Sequence, residues 1–256
     1  MFLWDNVVFG PIHSRRLGSS LGINISPTTV KICSFDCIYC ECGWTLEKTI
    51  EPCLFLPIEK IIDAIDMKLS QCKTIGTIID SITFSGNGEP TLHPKFDQII
   101  DALIVLRNKY YPKTVITCLS NATQLTNERV LAALKKIENP ILKLDAVSEH
   151  LFKLINKPIV AISVEKIINL LQQLHGDFIL QTLFLKGEID GQIFNNTLEP
   201  HLSLWIKVVQ HIHPRKVMIY SLDRNTPAQR LEKIPFEKLV EISQKIQQIG
   251  ILADAY

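Results

Sequence analysis

Cys33, Cys37 and Cys40 stand in the run Lys31-Ile-Cys-Ser-Phe-Asp-Cys-Ile-Tyr-Cys40, a C-x3-C-x2-C spacing that places three thiolates on one loop around one metal centre. A cubane [4Fe-4S] cluster has four irons and ordinarily takes one cysteine on each. Three cysteines therefore leave one iron open to another ligand, and an open iron is a place for chemistry. Zinc is the competing reading: a structural zinc wants four protein ligands, usually as two separated pairs. The nearest further candidates, Cys42, Cys53 and His93, complete no second pair. A disulfide framework fits poorly, because seven cysteines is an odd number in a chain with an ample core. Cys72 and Cys118 read as buried thiols.

The loop has to be held by a scaffold. With 256 residues, 46% hydrophobic and 21% charged, the chain is long enough for a sizeable α/β core. Apolar residues recur at helical spacing in 57–70 (Ile58, Ile61, Ile62, Ile65, Leu69) and again from Phe96 to Leu103 and from Val130 to Ile137. They do so also from Val164 to Leu174, from Leu198 to Ile212 and from Phe236 to Ile246 before Gly250. Pro57 suits a first helical turn, and Thr126 or Asn127 and Ser163 suit N-caps. Between them lie short branched segments at 21–26, 78–85, 114–120, 141–147, 178–185 and 216–222, each reading as a buried parallel strand.

Alternation of this kind builds right-handed βαβ units. The expected fold is α/β: a partial (β/α)6 TIM-like barrel, six parallel strands with outer helices. Residues 1–20 are expected as an N-terminal extension and 21–250 as the core of a single domain over 1–256, with strand-like additions at 1–20 and 250–256. Ligands of parallel α/β sheets bind where the strands end. That rule brings the cysteine loop, the loop Ser85-Gly-Asn-Gly-Glu-Pro90, Ser120-Asn121 and the Lys143/Asp145 pair to one face.

These residues resemble the radical S-adenosylmethionine (radical SAM) superfamily. Its cysteine motif with an aromatic residue before the last cysteine is matched by Cys33, Cys37, Tyr39 and Cys40, and its Gly-Gly-Glu-like loop by Gly86-Asn87-Gly88-Glu89. Val8-Phe-Gly-Pro11, Ser14-Arg-Arg-Leu-Gly18, Ser20-Leu-Gly-Ile-Asn24 and Gly86-Asn-Gly-Glu-Pro-Thr-Leu-His-Pro94 are similar to a compact subgroup of Fe-S oxidoreductases related to wyosine-forming tRNA-modifying enzymes. The resemblance implies a [4Fe-4S] cluster whose open iron chelates SAM, with one-electron cleavage of SAM to a 5′-deoxyadenosyl radical that takes hydrogen from a substrate. It further implies that Gly86, Asn87, Gly88 and Glu89 hold the SAM amino group and that Tyr39 lies beside adenine. Ser120 and Asn121 bind polar atoms of SAM or merely cap a helix. Lys143 contacts the SAM carboxylate in preference to a simple ion pair with Asp145, and Gln181 sits similarly on the next strand. Tyr220, Asp223 and Arg224 are candidates to face the substrate, with a surface ion pair as the alternative for the last two. Cys42, outside the pattern, is expected to ligate nothing; Cys53 stays open, and His13 and His93 read as structural.

Net charge is +1, so no general attraction to nucleic acid exists, although Arg15-Arg16 and His211–Lys216 form local basic patches. The substrate is a tRNA base or a peptide or protein; DNA is not expected. An electron donor such as flavodoxin or ferredoxin is the implied partner. No run reaches bilayer length and no leader pattern opens the chain, so a cytoplasmic enzyme without a membrane partner is expected. The reading from a different class is a non-catalytic zinc-binding interaction module.

Overall fold

A parallel strand covered on both faces has to be apolar or small throughout, and this rule shapes the chain from its second strand onward. The computed structural model describes residues 2–46 and 52–256; Met1 and 47–51 lie outside the description. Strands β1 (Val8–Ser14) and β2 (Gly18–Ile23) form a hairpin ahead of the cysteine loop. Then α1 (Ile58–Thr74), β3 (Ser81–Phe84), α2 (Phe96–Tyr110), β4 (Val115–Ser120), α3 (Glu128–Leu134) and β5 (Asn139–Lys143) alternate. After α4 (Glu149–Ile155) and α5 (Val164–Gln172) come β6 (Ile179–Leu183), β7 (Leu185–Ile189), β8 (Gln192–Asn195) and α6 (His201–Ile212). The chain ends with β9 (Lys216–Tyr220), β10 (Leu231–Lys233), α7 (Phe236–Gln248) and β11 (Leu252–Ala255).

The main sheet runs β1-β2-β3-β4-β5-β6-β9-β11, antiparallel only between β1 and β2. The six expected parallel strands are β2, β3, β4, β5, β6 and β9, and the sheet curls into a half-barrel with outer helices. β1 and β11 extend it at its two edges, as strand-like additions. Two features were not expected. The segment 178–185 is split: β6 ends at Leu183, and β7 turns away into a small antiparallel sheet, β10-β7-β8. The short helix α4 fills the stretch after β5, started by Ser148, whose Oγ accepts the Leu151 amide at 3.4 Å.

Outer helices bury one stripe each. Ile61, Ile65 and Leu69 of α1, Leu103 of α2, Trp205 and Val209 of α6 and Leu239, Ile242 and Ile246 of α7 enter one continuous core with the outward side chains of the strands. Trp205 meets Phe184 edge-to-face at 5.1 Å; full burial of each such side chain stabilises by about 2 kcal/mol. The concave face is different. Ile141, Ile179 and Met218 form a small apolar cluster with Leu17, Leu119 and Tyr256. Beside it a hydroxyl ladder crosses β2, β3 and β4: Ser20 bonds Thr83 (2.8 Å), Thr83 bonds Ser81 (3.0 Å) and Ser81 bonds Thr117 (2.8 Å). No helix among the described residues is long and apolar enough to cross a membrane.

Candidate functional site

The cysteine loop is shaped by backbone pairing before any ligand is considered. Ile32 donates its amide to the Asn87 carbonyl (3.0 Å) and accepts from the Glu89 amide (2.9 Å), so the strand of chain entering the motif lies directly on the glycine loop. That contact explains the glycines. At Gly88 (φ +144°) a Cβ would sit 1.7 Å from the Ile32 carbonyl oxygen, and at Gly86 (φ +141°) 2.5 Å from Asn24 Oδ1. On the other side Ile38 donates to the Ile155 carbonyl and Asp36 to the Asn156 carbonyl, at the end of α4.

Lys31 secures the loop from within. Its buried ammonium donates to the Gly43 carbonyl (2.8 Å) and to Asp36 (3.2 Å), which also accepts the Thr45 amide at 2.7 Å. Burial works against this charge, but Cys40, Cys33, Cys37 and Asp36 favour it, and its pKa is raised. Around the thiols, Asn156 Nδ2 donates to Cys37 Sγ (3.5 Å) and Asn121 Nδ2 to Cys33 Sγ (3.7 Å). Burial pushes the Cys33 thiol up and Cys37 to about 11. Cys40 is lowered to about 6, chiefly by a hydrogen bond from Cys42 and further by Lys31. Cys42 Sγ also lies 3.2 Å from the Gly86 carbonyl oxygen, an alternative acceptor for its one proton, and its thiol is pushed up through its bond to Cys40.

Burial opposes the anionic form at Cys33 and Cys37, and the charges of Lys31 and Lys143 work the other way. Soft anionic sulfurs on one loop, amide donors aimed at two of them and a buried cation beside all three match what iron-sulfur ligation asks of a protein. A single metal ion would need at least three side chains converging on one point. A cubane makes no such demand, because it takes each thiolate on a separate iron.

Beside the loop lies a buried network. Asp145, fully buried, accepts from Tyr39 OH and Asn156 Nδ2 (2.8 Å) on one oxygen, and from the Leu183 amide (2.8 Å) and Lys143 (3.4 Å) on the other. Lys143 also donates to Tyr220 OH at 2.7 Å and lies 4.7 Å from the Tyr39 ring centroid. Burial works against the Lys143 charge, but Asp145 and the hydrogen bond to Tyr220 favour it, and its pKa is raised. Gln181, level with Lys143 on β6, is buried next to it in register.

The other expected site residues divide. Glu89 is buried, raised in pKa by that burial, and accepts the Asn121 amide (2.7 Å) and both donors of Thr91. Asn121 bridges Ser34, Cys33 and Thr123, and Ser120 Oγ accepts the Ala122 amide. Asn87 turns its side chain to Trp4 and Pro27, on the amino-terminal segment. Asp223 pairs with Arg15 (3.0 Å) and Lys233 (3.5 Å), and Arg224 pairs with Glu41 (2.6 Å), all at least partly exposed. A cavity of about 300 Å³ opens beside that last pair, between Glu41, Trp44 and Thr226. His93 bonds the Leu56 carbonyl and packs on Phe55. Lys31, Asn156 and Arg16, whose guanidinium lies 4.4 Å over the Tyr220 ring, were not foreseen as site residues. The one signal for them was the position of Lys31 two residues before Cys33 and of Arg16 in a basic pair.

A half-barrel of parallel strands carrying a three-cysteine loop after its first parallel strand and a glycine loop after the next defines a class of cofactor-binding α/β enzymes. The chain belongs to the radical SAM superfamily, whose family model matches residues 28–194. The superfamily uses a [4Fe-4S] cluster and SAM. The UPF0026 protein of Helicobacter pylori is 33% identical over 224 residues, 85% of this chain and 67% of that one. Among solved structures, a radical SAM methyltransferase from Sphaerobacter thermophilus superposes with TM-score 0.66 at 13% identity, over 93% of this chain and 65% of that one. SuiB of Streptococcus suis, bound to SAM, gives TM-score 0.64 at 15% identity, over 92% and 50%. The chain thus spans half to two thirds of the length of these three proteins.

Proposed function

We propose that the chain is a radical SAM enzyme of oxidoreductase or transferase type, holding one [4Fe-4S] cluster through Cys33, Cys37 and Cys40 and SAM on the open iron, with 21–250 as the catalytic unit. The observation that carries this reading is the environment of the three thiols: one loop, two amide donors and the buried Lys31. When bound, the cofactors supply one-electron cleavage of the sulfonium and hydrogen-atom abstraction.

The protein's own residues orient and seclude. The backbone of Gly86, Asn87, Gly88 and Glu89, pinned to Ile32, presents its polar groups to the SAM amino group. Ser120 and Asn121 fix the neighbouring strand end against the cysteine loop. An ammonium has three N–H donors and Lys143 spends two on Asp145 and Tyr220. The third is left for the SAM carboxylate, with Gln181 beside it. Asp145 is saturated by four donors, so its part is to hold Lys143 and Tyr39 in place for adenine and methionine. Tyr220, Asp223 and Arg224 border the substrate side. The electron comes from a donor such as flavodoxin or ferredoxin, and the substrate is a tRNA base or a peptide or protein.

Anaerobic reconstitution tests this. A brown protein with sulfur-to-iron charge-transfer absorption, releasing 5′-deoxyadenosine with dithionite, is the expected result; a colourless protein holding one tight zinc defeats the reading. Cys37→Ala should lose both colour and cleavage, whereas Cys72→Ala, buried against the outer helices, should keep both.

A further inference from the structure

Arg16 sits in the turn between β1 and β2, where Ser14 Oγ accepts the amides of Arg16 (3.3 Å) and Leu17 (3.2 Å). Leu17 is anchored in the concave apolar cluster with Ile141, Ile179 and Met218. The turn therefore delivers the Arg16 guanidinium onto the Tyr220 ring, at 4.4 Å, inside the half-barrel. Tyr220 in turn carries Lys143 on its hydroxyl.

Counting the charges around this ring isolates one of them. Lys143 is matched by Asp145. Arg15, the neighbour of Arg16, is matched by Asp223, and Arg224 by Glu41. Arg16 has no acidic partner among the described residues, and its Nη1 is buried without an acceptor. A buried donor left unpaired is costly, and a guanidinium over the Tyr220 ring with Nη1 unpartnered has a donor to offer an oxygen acceptor, for which a planar carboxylate is suited.

We propose that Arg16 anchors the substrate through a carboxylate, so that the concave side of Tyr220 is a subsite for a carboxylate-bearing substrate such as a peptide or a small acid. One unmatched positive charge suits a singly charged carboxylate better than a doubly charged phosphate, which sets a peptide or acid above a tRNA base. This inference rests on the radical SAM reading of the same site.

Calorimetric titration of reconstituted, SAM-loaded protein with N-acetylglycine tests it, with inorganic phosphate at equal ionic strength as the second arm. Expected is saturable binding of N-acetylglycine, weakened at least tenfold in Arg16→Gln and several-fold in Arg16→Lys, which keeps the charge but loses the fork. Arg15→Gln should bind like the wild type. No binding, equal binding in Arg16→Gln, or Arg16-dependent binding of phosphate in place of N-acetylglycine overturns the proposal. If melting shows that Arg16→Gln does not fold, Arg16→Lys decides on its own. The two readings fail separately. Arg16-dependent binding in a protein that takes up no cluster removes the radical SAM reading and keeps the carboxylate site; SAM cleavage with Arg16-independent binding does the reverse.

Discussion

Asp145 shows how much one side chain organises. It receives four donors in the interior, one of them the Lys143 ammonium. Removing one member of a buried ion pair leaves the other charge uncompensated, at a cost of about 3–5 kcal/mol. Asp145→Ala should therefore lower stability by that amount in urea unfolding. Lys143→Met should cost less, because the carboxylate it leaves behind keeps three hydrogen bonds. Equal losses would mean that the pair does not dominate this network. The sequence displayed Lys143 and Asp145 because two charges alternating along an apolar strand demand an explanation. It hid Asn156, which donates to Cys37, Tyr39 and Asp145, since an asparagine at the end of a short helix looks like an ordinary cap. Arg224 drew attention as an arginine at the end of the sixth strand, but its partner Glu41 is distant in sequence and no local pattern announces it.

The elements were the more legible part. Six amphipathic stripes and six branched runs follow from burial on one face or two, and periodicity reports burial directly. What escaped lacks period. Helix α4, as short as α3, carries its apolar residues in adjacent pairs, Leu151-Phe152 and Leu154-Ile155, which blur the helical spacing. Strand β7 continues an apolar run that reads as β6, and the chain is held where they part by Asn196, distant in sequence, which donates to the Asp145 and Leu183 carbonyls and accepts the Leu185 amide. The glycine loop was recognised, but its reason lay elsewhere: the space at Gly88 is occupied by the Ile32 carbonyl. Gly88→Ala should accordingly shift the loop, destabilise by more than about 2 kcal/mol and reduce iron incorporation. Gly76→Ala, at φ +71° with nothing within 4 Å, should cost about 1 kcal/mol and leave iron content unchanged. Thermal melts and iron assays on the two variants decide whether the close approach or the dihedral matters.

For the molecule as a whole, His201 sets a limit in acid. It is buried at the start of α6 with neither ring nitrogen bonded, and burial holds its pKa down to about 4. The unfolded chain takes up that proton near pH 6.5 and the folded one near 4, so stability is fully present above about 6.5 and falls between the two values, by up to about 3 kcal/mol. Unfolding midpoints measured across that window should decline in the wild type, and the decline should shrink in His201→Leu; an unchanged slope would assign it to other groups. The hairpin tip has a different kind of reach. Arg16 touches Tyr220 of β9 and Arg15 pairs with Asp223 just beyond it, although β3, β4, β5 and β6 separate β2 from β9 in the sheet. The ring is thus fastened by a clasp of side chains where a fully closed barrel would use main-chain pairing. The length of the turn between Ser14 and Gly18 therefore bears on the width of the enclosure, and a change there would alter the range of molecules it admits while leaving the cysteine and glycine loops as they are.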